Sequence, residues 1–216
     1  MWVEAPIVVG RASDIAEPGA FFTHDGVGVP ILVTRDHGGV VHAMVNVCRH
    51  RGTRLVSAER GSAELFVCPL HAWTYDLCGH FSLPMAPTST MSTSSYARCD
   101  PRERRDDTML VALPCAVRHG FVFVVPSPRA RVQLEAMLGV LDDAVAPLML
   151  DDRVVRERET RVTTWSAARE ALARTDAVWM FPSSIVYADG DDVVHVCAQP
   201  LAGDDVELLT TILART

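Results

Sequence analysis

Two short segments, each containing one cysteine and one histidine, constrain this chain more than any other feature of its sequence. The first reads Cys48-Arg49-His50, and the second, after seventeen further residues, reads Cys68-Pro69-Leu70-His71. Thiolate and imidazole groups bind soft and borderline metals, so a fold that brings both segments together creates a site with four donors. Cys48, His50, Cys68 and His71 are therefore the candidate metal ligands.

A zinc ion and an iron–sulfur cluster can both be bound by two cysteines and two histidines. Structural zinc sites usually take a cysteine pair from one segment and a histidine pair from the other. Here each segment mixes the two donor types. This suits a [2Fe–2S] cluster in which two thiolates bind one iron and two imidazoles bind the other. The sequence favours such a cluster, and zinc is the alternative.

The flanks of both segments resemble the two cluster-binding loops of the alpha subunits of Rieske non-haem iron oxygenases, the ring-hydroxylating dioxygenase type. The resemblance rests on residues 46–52, NVCRHRG, and on residues 68–79, CPLHAWTYDLCG. It implies that the four candidate ligands bind a Rieske [2Fe–2S] cluster. The implied neighbours of the cluster are Arg51, Gly52 and Trp73, with Trp73 either packing over the cluster or lying at a subunit contact.

The resemblance also indicates a low-potential cluster. High-potential Rieske proteins join the two loops by a disulfide, and Thr53 and Leu70 occupy the corresponding positions here. A potential near the lower end of the Rieske range, about −150 mV, is therefore expected. Backbone N–H groups around 51–52 and 72–73 are expected to donate to sulfur. Ala72 stands where the family usually has glycine, which costs about 1–2 kcal/mol if φ is positive there.

Strand and turn signals predict a mainly β chain with an α+β tail. Short apolar runs recur through the first part of the chain, and Asp36-His37-Gly38-Gly39 between two of them is a hairpin signal. By resemblance, residues 1–126 form a Rieske-type antiparallel β domain with a cluster-binding part at about 44–84. The segment 84–107, rich in serine, threonine and charge, is predicted to be a solvated loop, with a docking patch for an electron donor as the alternative.

Residues 127–216 resemble a shortened form of the helix-grip catalytic domain of these oxygenases. Hydrophobic periodicity predicts helices at 131–145 and 166–175, and strands at 153–164, 181–187, 193–197 and 206–213. In the family this domain binds a mononuclear iron through two histidines and a carboxylate. The fifteen residues between Trp165 and Phe181, where the histidines would lie, contain none, and Asp176 is the nearest carboxylate. We therefore expect no mononuclear iron in this chain and no self-sufficient oxygenase activity.

Composition excludes several other classes of function. The net charge of −7 argues against nucleic acid as a partner. No run of eighteen apolar residues is present, so no membrane span is expected. The first residues lack a basic region followed by an apolar core, which favours a cytoplasmic location. In that compartment the six cysteines are expected to be ligands or reduced thiols.

These expectations together predict an electron-transfer component of a hetero-oligomeric oxygenase. A reductase or ferredoxin would reduce the cluster, and the cluster would pass the electron to the non-haem iron of a partner subunit. The alternatives are a stand-alone Rieske ferredoxin, which needs no domain after residue 126, and a non-catalytic structural or regulatory subunit. The shortened tail is interpreted as an assembly platform, with a degenerate remnant as the alternative.

Overall fold

The computed structural model describes residues 4–25, 27–82, 107–180, 182–201 and 203–215. The chain forms two compact units. The loop unit comprises Asp14–Asp25 and Val29–Leu113, and the tail unit comprises Met1–Ser13, Gly26–Gly28 and Pro114–Thr216. Apart from Asp107, the predicted solvated loop at 84–107 lies outside the described residues. The domain boundary predicted at residue 126 stays a prediction.

Strands dominate the described part of the chain, as the sequence predicts. The strands are β1 (Ile7–Arg11), β2 (Ala20–His24), β3 (Ile31–Arg35), β4 (Val41–Val45), β5 (Arg60–Ser62), β6 (Leu65–Val67), β7 (Thr74–Asp76), β8 (Phe81–Ser82), β9 (Ala112–Leu113), β10 (Cys115–Arg118), β11 (Phe121–Val124), β12 (Arg153–Thr164), β13 (Val178–Trp179), β14 (Ser184–Asp189), β15 (Asp192–Pro200) and β16 (Asp205–Arg215). The α-helices are α1 (Leu134–Gly139), α2 (Asp142–Val145) and α3 (Trp165–Leu172). No helix in the described ranges is both long and apolar enough to cross a membrane.

The loop unit contains a five-stranded sheet, ordered β5-β2-β3-β4-β9, and a three-stranded sheet, ordered β6-β7-β8. The predicted hairpin joins β3 and β4, whose register runs from Ile31 opposite Val45 to Arg35 opposite Val41. The carboxylate of Asp36 accepts hydrogen bonds from two backbone N–H groups in the turn. Gly39 supplies the positive φ of 81° that closes it.

The core of the loop unit lies between its two sheets and includes both candidate cysteines. The ring of Phe21 on β2 contacts Phe66 on β6 edge-on, with centroids 5.4 Å apart. Burying an aromatic side chain of this kind stabilises a fold by about 1.5–3 kcal/mol. Around them pack Leu32, Met44, Cys48, Leu55, Cys68, Tyr75, Leu77 and Leu110. The two candidate cysteines are thus anchored in the packed core of this unit.

The tail unit contains a three-stranded sheet, ordered β1-β11-β10, and a five-stranded sheet, ordered β12-β16-β15-β14-β13. Side chains alternate between the two faces of β15, because successive residues of a strand point to opposite sides. Val194, Val196 and Ala198 pack in one core with Ala168 and Leu172 of α3. Val193 packs in the other core, with the strands of the three-stranded sheet and with α1 and α2. The tail therefore has a packed interior on both faces of its large sheet.

The single helix predicted at 131–145 is wrong. The structure has two short helices there, α1 and α2, separated at Val140 and Leu141. The leucine spacing that suggested one helix is explained by burial of Leu134, Leu138 and Leu141 in a common core. Gly139 ends α1, in agreement with the low helix propensity of glycine. Periodicity located the buried side chains correctly but did not detect the break.

Candidate metal centre

The two candidate segments fold into loops with the same backbone hydrogen bonds. In the first loop, which follows β4, the N–H of Cys48 donates to the carbonyl of Thr53 (2.8 Å) and the N–H of Gly52 donates to the carbonyl of Cys48 (3.0 Å). In the second loop, between β6 and β7, the N–H of Cys68 donates to the carbonyl of Trp73 (2.8 Å) and that of Ala72 to the carbonyl of Cys68 (3.0 Å). The two loops therefore share one backbone framework, in which the histidine stands two residues after the cysteine in the first loop and three residues after it in the second.

Each loop turns through one residue with positive φ at the equivalent position. Gly52 has a φ of 73° in the first loop, and Ala72 has a φ of 57° in the second. Alanine pays a steric cost in this left-handed region that glycine does not pay. The predicted cost of alanine at position 72 depended on a positive φ, and φ is positive there. The second loop is therefore strained at this residue.

The two thiols lie on the inner side of the loops. Cys48 is 2% exposed and Cys68 is 3% exposed. Burial alone would raise the pKa of Cys68, but hydrogen bonds from the N–H groups of Leu70 and His71, and from the Cys48 thiol, outweigh it and leave that pKa below its usual value. A lowered pKa favours the thiolate, which is the form that binds metal.

Tyr75 on β7 is a site residue that the sequence did not single out. Its side chain is fully buried, and its hydroxyl lies 3.3 Å from the Cys48 sulfur. The same oxygen accepts the N–H of Arg49 at 3.1 Å, so its own hydrogen is free to donate to the sulfur. Burial and the adjacent thiol raise the pKa of Tyr75, which keeps that hydrogen in place. One signal in the sequence could have identified Tyr75 as a site residue. A tyrosine at an inward-facing strand position buries its hydroxyl, and a buried hydroxyl needs a hydrogen-bond partner.

The two imidazoles lie on the outer side of the loops and face each other. Both His50 and His71 are exposed. Their ring centroids are 4.5 Å apart with an interplanar angle of 69°. The pKa of His50 is lowered by partial desolvation and by the positive charges of His71 and Arg51. A neutral imidazole is the form that binds metal.

The three residues expected around the cluster occupy different positions. Trp73 stacks on the His50 ring, with centroids 4.8 Å apart and an interplanar angle of 7°. Arg51 is exposed beside His50, and Gly52 forms the turn of the first loop. The N–H groups that bond to sulfur belong to Leu70 and His71. The N–H groups of Gly52 and Ala72 bond to carbonyl oxygens and so hold the shape of the loops.

The donor set fits a two-iron cluster better than a single ion. Four donors around one tetrahedral zinc lie within about 4 Å of one another. No three of the four donor atoms of Cys48, His50, Cys68 and His71 lie within 4.8 Å of one another. Instead a pair of buried thiols lies on the inner side and a pair of imidazoles on the outer side. This division matches the unequal ligation of a mixed-ligand [2Fe–2S] cluster.

A second group of possible ligands surrounds Cys78, in the turn between β7 and β8. Its donor atoms approach those of Asp36 and His42 on one side and those of Asp76 and His80 on the other. Cys78 is disulfide-bonded, so its sulfur is not a thiolate ligand. The expectation of reduced cysteines is therefore wrong at Cys78, whereas Cys48, Cys68, Cys115 and Cys197 are free.

The two histidines of the tail unit, His119 and His195, and the carboxylate of Asp176 are each engaged within the fold. His119 lies 2.8 Å from the carboxylate of Asp142. His195 is buried against Phe121, with centroids 4.7 Å apart. Asp176 pairs with Arg174, which lowers the pKa of that carboxyl. In the described ranges of the tail these side chains do not converge on a common point.

Residues 5–94 match the family described as "Rieske [2Fe-2S] domain". The chain is 34% identical over 148 residues to the glycine betaine monooxygenase oxygenase subunit of Chromohalobacter salexigens, a match that covers 68% of this chain and 30% of that protein. It is 34% identical over 127 residues to the anthranilate 1,2-dioxygenase large subunit of Acinetobacter baylyi, covering 59% of this chain and 25% of that protein. The chain thus spans about a third or less of the length of these curated relatives.

Solved structures agree in fold along the whole chain. The quaternary ammonium Rieske monooxygenase CntA superimposes with a TM-score of 0.75 at 20% identity, covering 100% of this chain and 69% of that one. Naphthalene 1,2-dioxygenase from a Rhodococcus species gives 0.74 at 17% identity with the same coverage. The predicted fold class, a Rieske-type β domain followed by a shortened catalytic-like domain, is confirmed.

Proposed function

Because this chain contains a Rieske [2Fe–2S] domain and is homologous to the alpha subunits of Rieske oxygenases, we propose that it is the electron-transfer component of a hetero-oligomeric oxygenase. In this proposal a ferredoxin or flavin reductase supplies single electrons, and the non-haem iron of a partner subunit receives them. The mononuclear iron belongs to that partner and not to this chain. The proposal includes a cytoplasmic location and no nucleic-acid or membrane partner.

The observation that carries the proposal is the division of the site into buried thiols and exposed imidazoles. When bound, the [2Fe–2S] cluster accepts and releases one electron. Cys48 and Cys68 would hold it from the protein interior, where their burial excludes water. His50 and His71 would hold it at the surface, where another protein can approach the imidazoles closely. Close approach at a small contact is typical of electron-transfer partners.

The ordered tail favours an oxygenase component over a stand-alone ferredoxin. The five-stranded sheet β12-β16-β15-β14-β13 is packed on both faces. A ferredoxin that only carries electrons has no need of the tail unit. In an oxygenase component the tail would pack against other subunits and so place the imidazoles near the acceptor.

Cluster content tests the first part of the proposal. Protein purified without oxygen should contain about two irons and two sulfides per chain, and after reduction it should give the paramagnetic signal of mixed histidine and cysteine ligation. Replacing His71 with alanine should abolish or convert the signal. The matched control is His37→Ala, which removes an exposed histidine outside both loops and should leave the signal unchanged. Zinc without sulfide would overturn the proposal.

Assembly and electron flow test the second part. Co-expression with neighbouring gene products should give a stable heteromer in native mass spectrometry, and the partner should carry the mononuclear iron. In stopped-flow experiments the reduced chain should be reoxidised by that partner. A monomer that binds none of the neighbouring gene products, yet whose cluster can be reduced and reoxidised, would support the ferredoxin alternative. A chain that binds the cluster but is not reduced by any carrier would support a structural or regulatory subunit.

A further inference from the structure

Trp73 belongs to the second loop, but its indole ring lies against a histidine of the first loop. The indole and the His50 imidazole are nearly parallel, with centroids 4.8 Å apart and an interplanar angle of 7°. On the side of β8, Phe81 contacts the indole with centroids 4.5 Å apart. Phe81 in turn meets Tyr75 edge-on at 6.0 Å. The indole is therefore held by Phe81 of β8, which itself packs against Tyr75 of β7.

The two imidazoles differ in the aromatic rings that contact them. His50 has Trp73 on one face and the edge of His71 nearby, with centroids 4.5 Å apart. For His71 the described ring contacts comprise His50 alone. The terminal torsion of a histidine side chain is broad, so an exposed imidazole rotates unless a contact restricts it. The structure restricts His50 through Trp73 and gives His71 no equivalent stack among the described rings.

The two loops also have no covalent connection at the positions where a bridge would lie. Thr53 and Leu70 occupy those positions, and the thiols of Cys48 and Cys68 are free. The stack of Trp73 on His50 is a contact that crosses from one loop to the other at their outer side. Parallel aromatic pairs of this kind stabilise a structure beyond the area that they bury.

We propose that Trp73 is a positioning residue, whose indole fixes the His50 imidazole for metal binding and clamps the two loops together in place of a covalent bridge. This inference rests on the proposed [2Fe–2S] site. According to this inference, Trp73 positions the candidate ligand His50 and does not position His71. It also predicts that the property required at position 73 is an aromatic ring and not merely apolar volume.

A pair of substitutions separates ring stacking from simple packing. Trp73→Met removes the ring and keeps an apolar side chain, whereas Trp73→Phe keeps a ring. The matched control is Trp179→Met, because Trp179 on β13 is 50% exposed and lies in the tail unit. All three are compared with the unmodified chain, each loaded with its cluster.

Two measurements are made on each protein, namely the rate of iron and sulfide release to a chelator and the nitrogen couplings of the two histidines in pulsed EPR of the reduced form. In Trp73→Met we expect release about 2-fold to 10-fold faster and a change in the coupling of one histidine nitrogen only. In Trp73→Phe and Trp179→Met both quantities should stay close to those of the unmodified chain. If Trp73→Met fails to assemble a cluster while Trp73→Phe succeeds, the requirement for a ring is likewise supported.

The inference is overturned if Trp73→Met matches the unmodified chain, if both histidine couplings change together, or if Trp73→Met and Trp73→Phe behave alike. It is also overturned if neither variant assembles a cluster, because a stacked ring is then not sufficient. An unmodified chain that assembles no [2Fe–2S] cluster is a different result. That result contradicts the proposed function itself.

Discussion

Ala72 holds a left-handed backbone conformation at the exposed end of the second loop. Its φ is 57°, and the equivalent position of the first loop is Gly52. The steric cost of alanine in this region is partly offset, because glycine gives the unfolded chain more conformational freedom. We therefore expect Ala72→Gly to raise the free energy of unfolding by about 0.5–1 kcal/mol. Equilibrium urea unfolding measures the change.

The matched control for Ala72 is Ala58→Gly, at an exposed position of the same unit. Ala58 is not among the residues with positive φ. Its replacement should leave the protein unchanged or slightly less stable, because only the unfolded chain gains freedom. Equal stabilisation by both substitutions would show that the loop is not strained.

The hydroxyl of Tyr75 lies within hydrogen-bond distance of the sulfur of the candidate ligand Cys48. A hydrogen bond to a ligand sulfur stabilises the reduced, more negative cluster and raises its potential. Tyr75→Phe removes the 3.3 Å contact and keeps the ring. The reduction potential should fall by about 20–60 mV, the equivalent of one ordinary hydrogen bond in a one-electron couple. Voltammetry of the loaded protein measures it, with Tyr187→Phe in the tail unit as the control.

At the scale of elements, the close pairing of two strands in the loop unit, β5 and β2, depends on a glycine. β5 pairs with β2, from Ala20 opposite Ser62 to Phe22 opposite Arg60. A methyl group added at Gly61 would lie 2.9 Å from the end of the Phe21 ring. That ring is held in the core by Phe66. The close approach of β5 to β2 therefore needs a residue without a side chain at this position.

We expect Gly61→Ala to destabilise the loop unit by about 1–3 kcal/mol, because the buried Phe21 ring has to move. The measurement is urea unfolding followed by a probe in this unit, such as Trp73 fluorescence. Ser62→Ala on the same strand is the control, since Ser62 is exposed and its replacement adds no atoms. A Gly61→Ala protein as stable as the control would mean that the strand can shift without cost.

At the scale of the molecule, the sequence predicted what depends on local pattern. The turn at 36–39 and the strand at 153–164 each follow from residues that are close in sequence, whereas the common site of the two cysteine–histidine segments followed from their family resemblance. The sequence did not predict the pairing of strands that are far apart along the chain. Ile7 lies opposite Val124, and nothing in either segment selects the other. The same holds for the candidate site, where the sequence proposed the four ligands but did not predict the stack of Trp73 on His50.

Each unit also contains one buried histidine that the fold keeps neutral. Burial lowers the pKa of His24 in the loop unit to about 4, although Asp25 opposes the shift. Burial lowers the pKa of His195 in the tail unit to about 3, and Arg11 and Arg158 lower it further. Both Nε2 atoms are buried without a hydrogen-bond partner. A charged imidazole would be strongly disfavoured at either place.

These shifts make the protein less stable as the pH falls below about 6.5, the pKa of an unfolded histidine. Above that pH the two histidines are neutral in both states and add no pH dependence. Between about 6.5 and 4 the unfolded chain binds protons that the folded chain does not, so unfolding becomes easier. Below the folded pKa values both states are protonated and the loss levels off. His24 alone should remove on the order of 3 kcal/mol.

Urea unfolding of the unmodified chain and of His24→Leu at pH 8 and pH 5 tests this. The difference between the two proteins at pH 8 measures the change in packing, because neither state is then charged. The difference at pH 5 adds the ionisation, so His24→Leu should lose less stability between pH 8 and pH 5 than the unmodified chain does. Equal losses in the two proteins would show that His24 is protonated as easily in the folded chain as in the unfolded one.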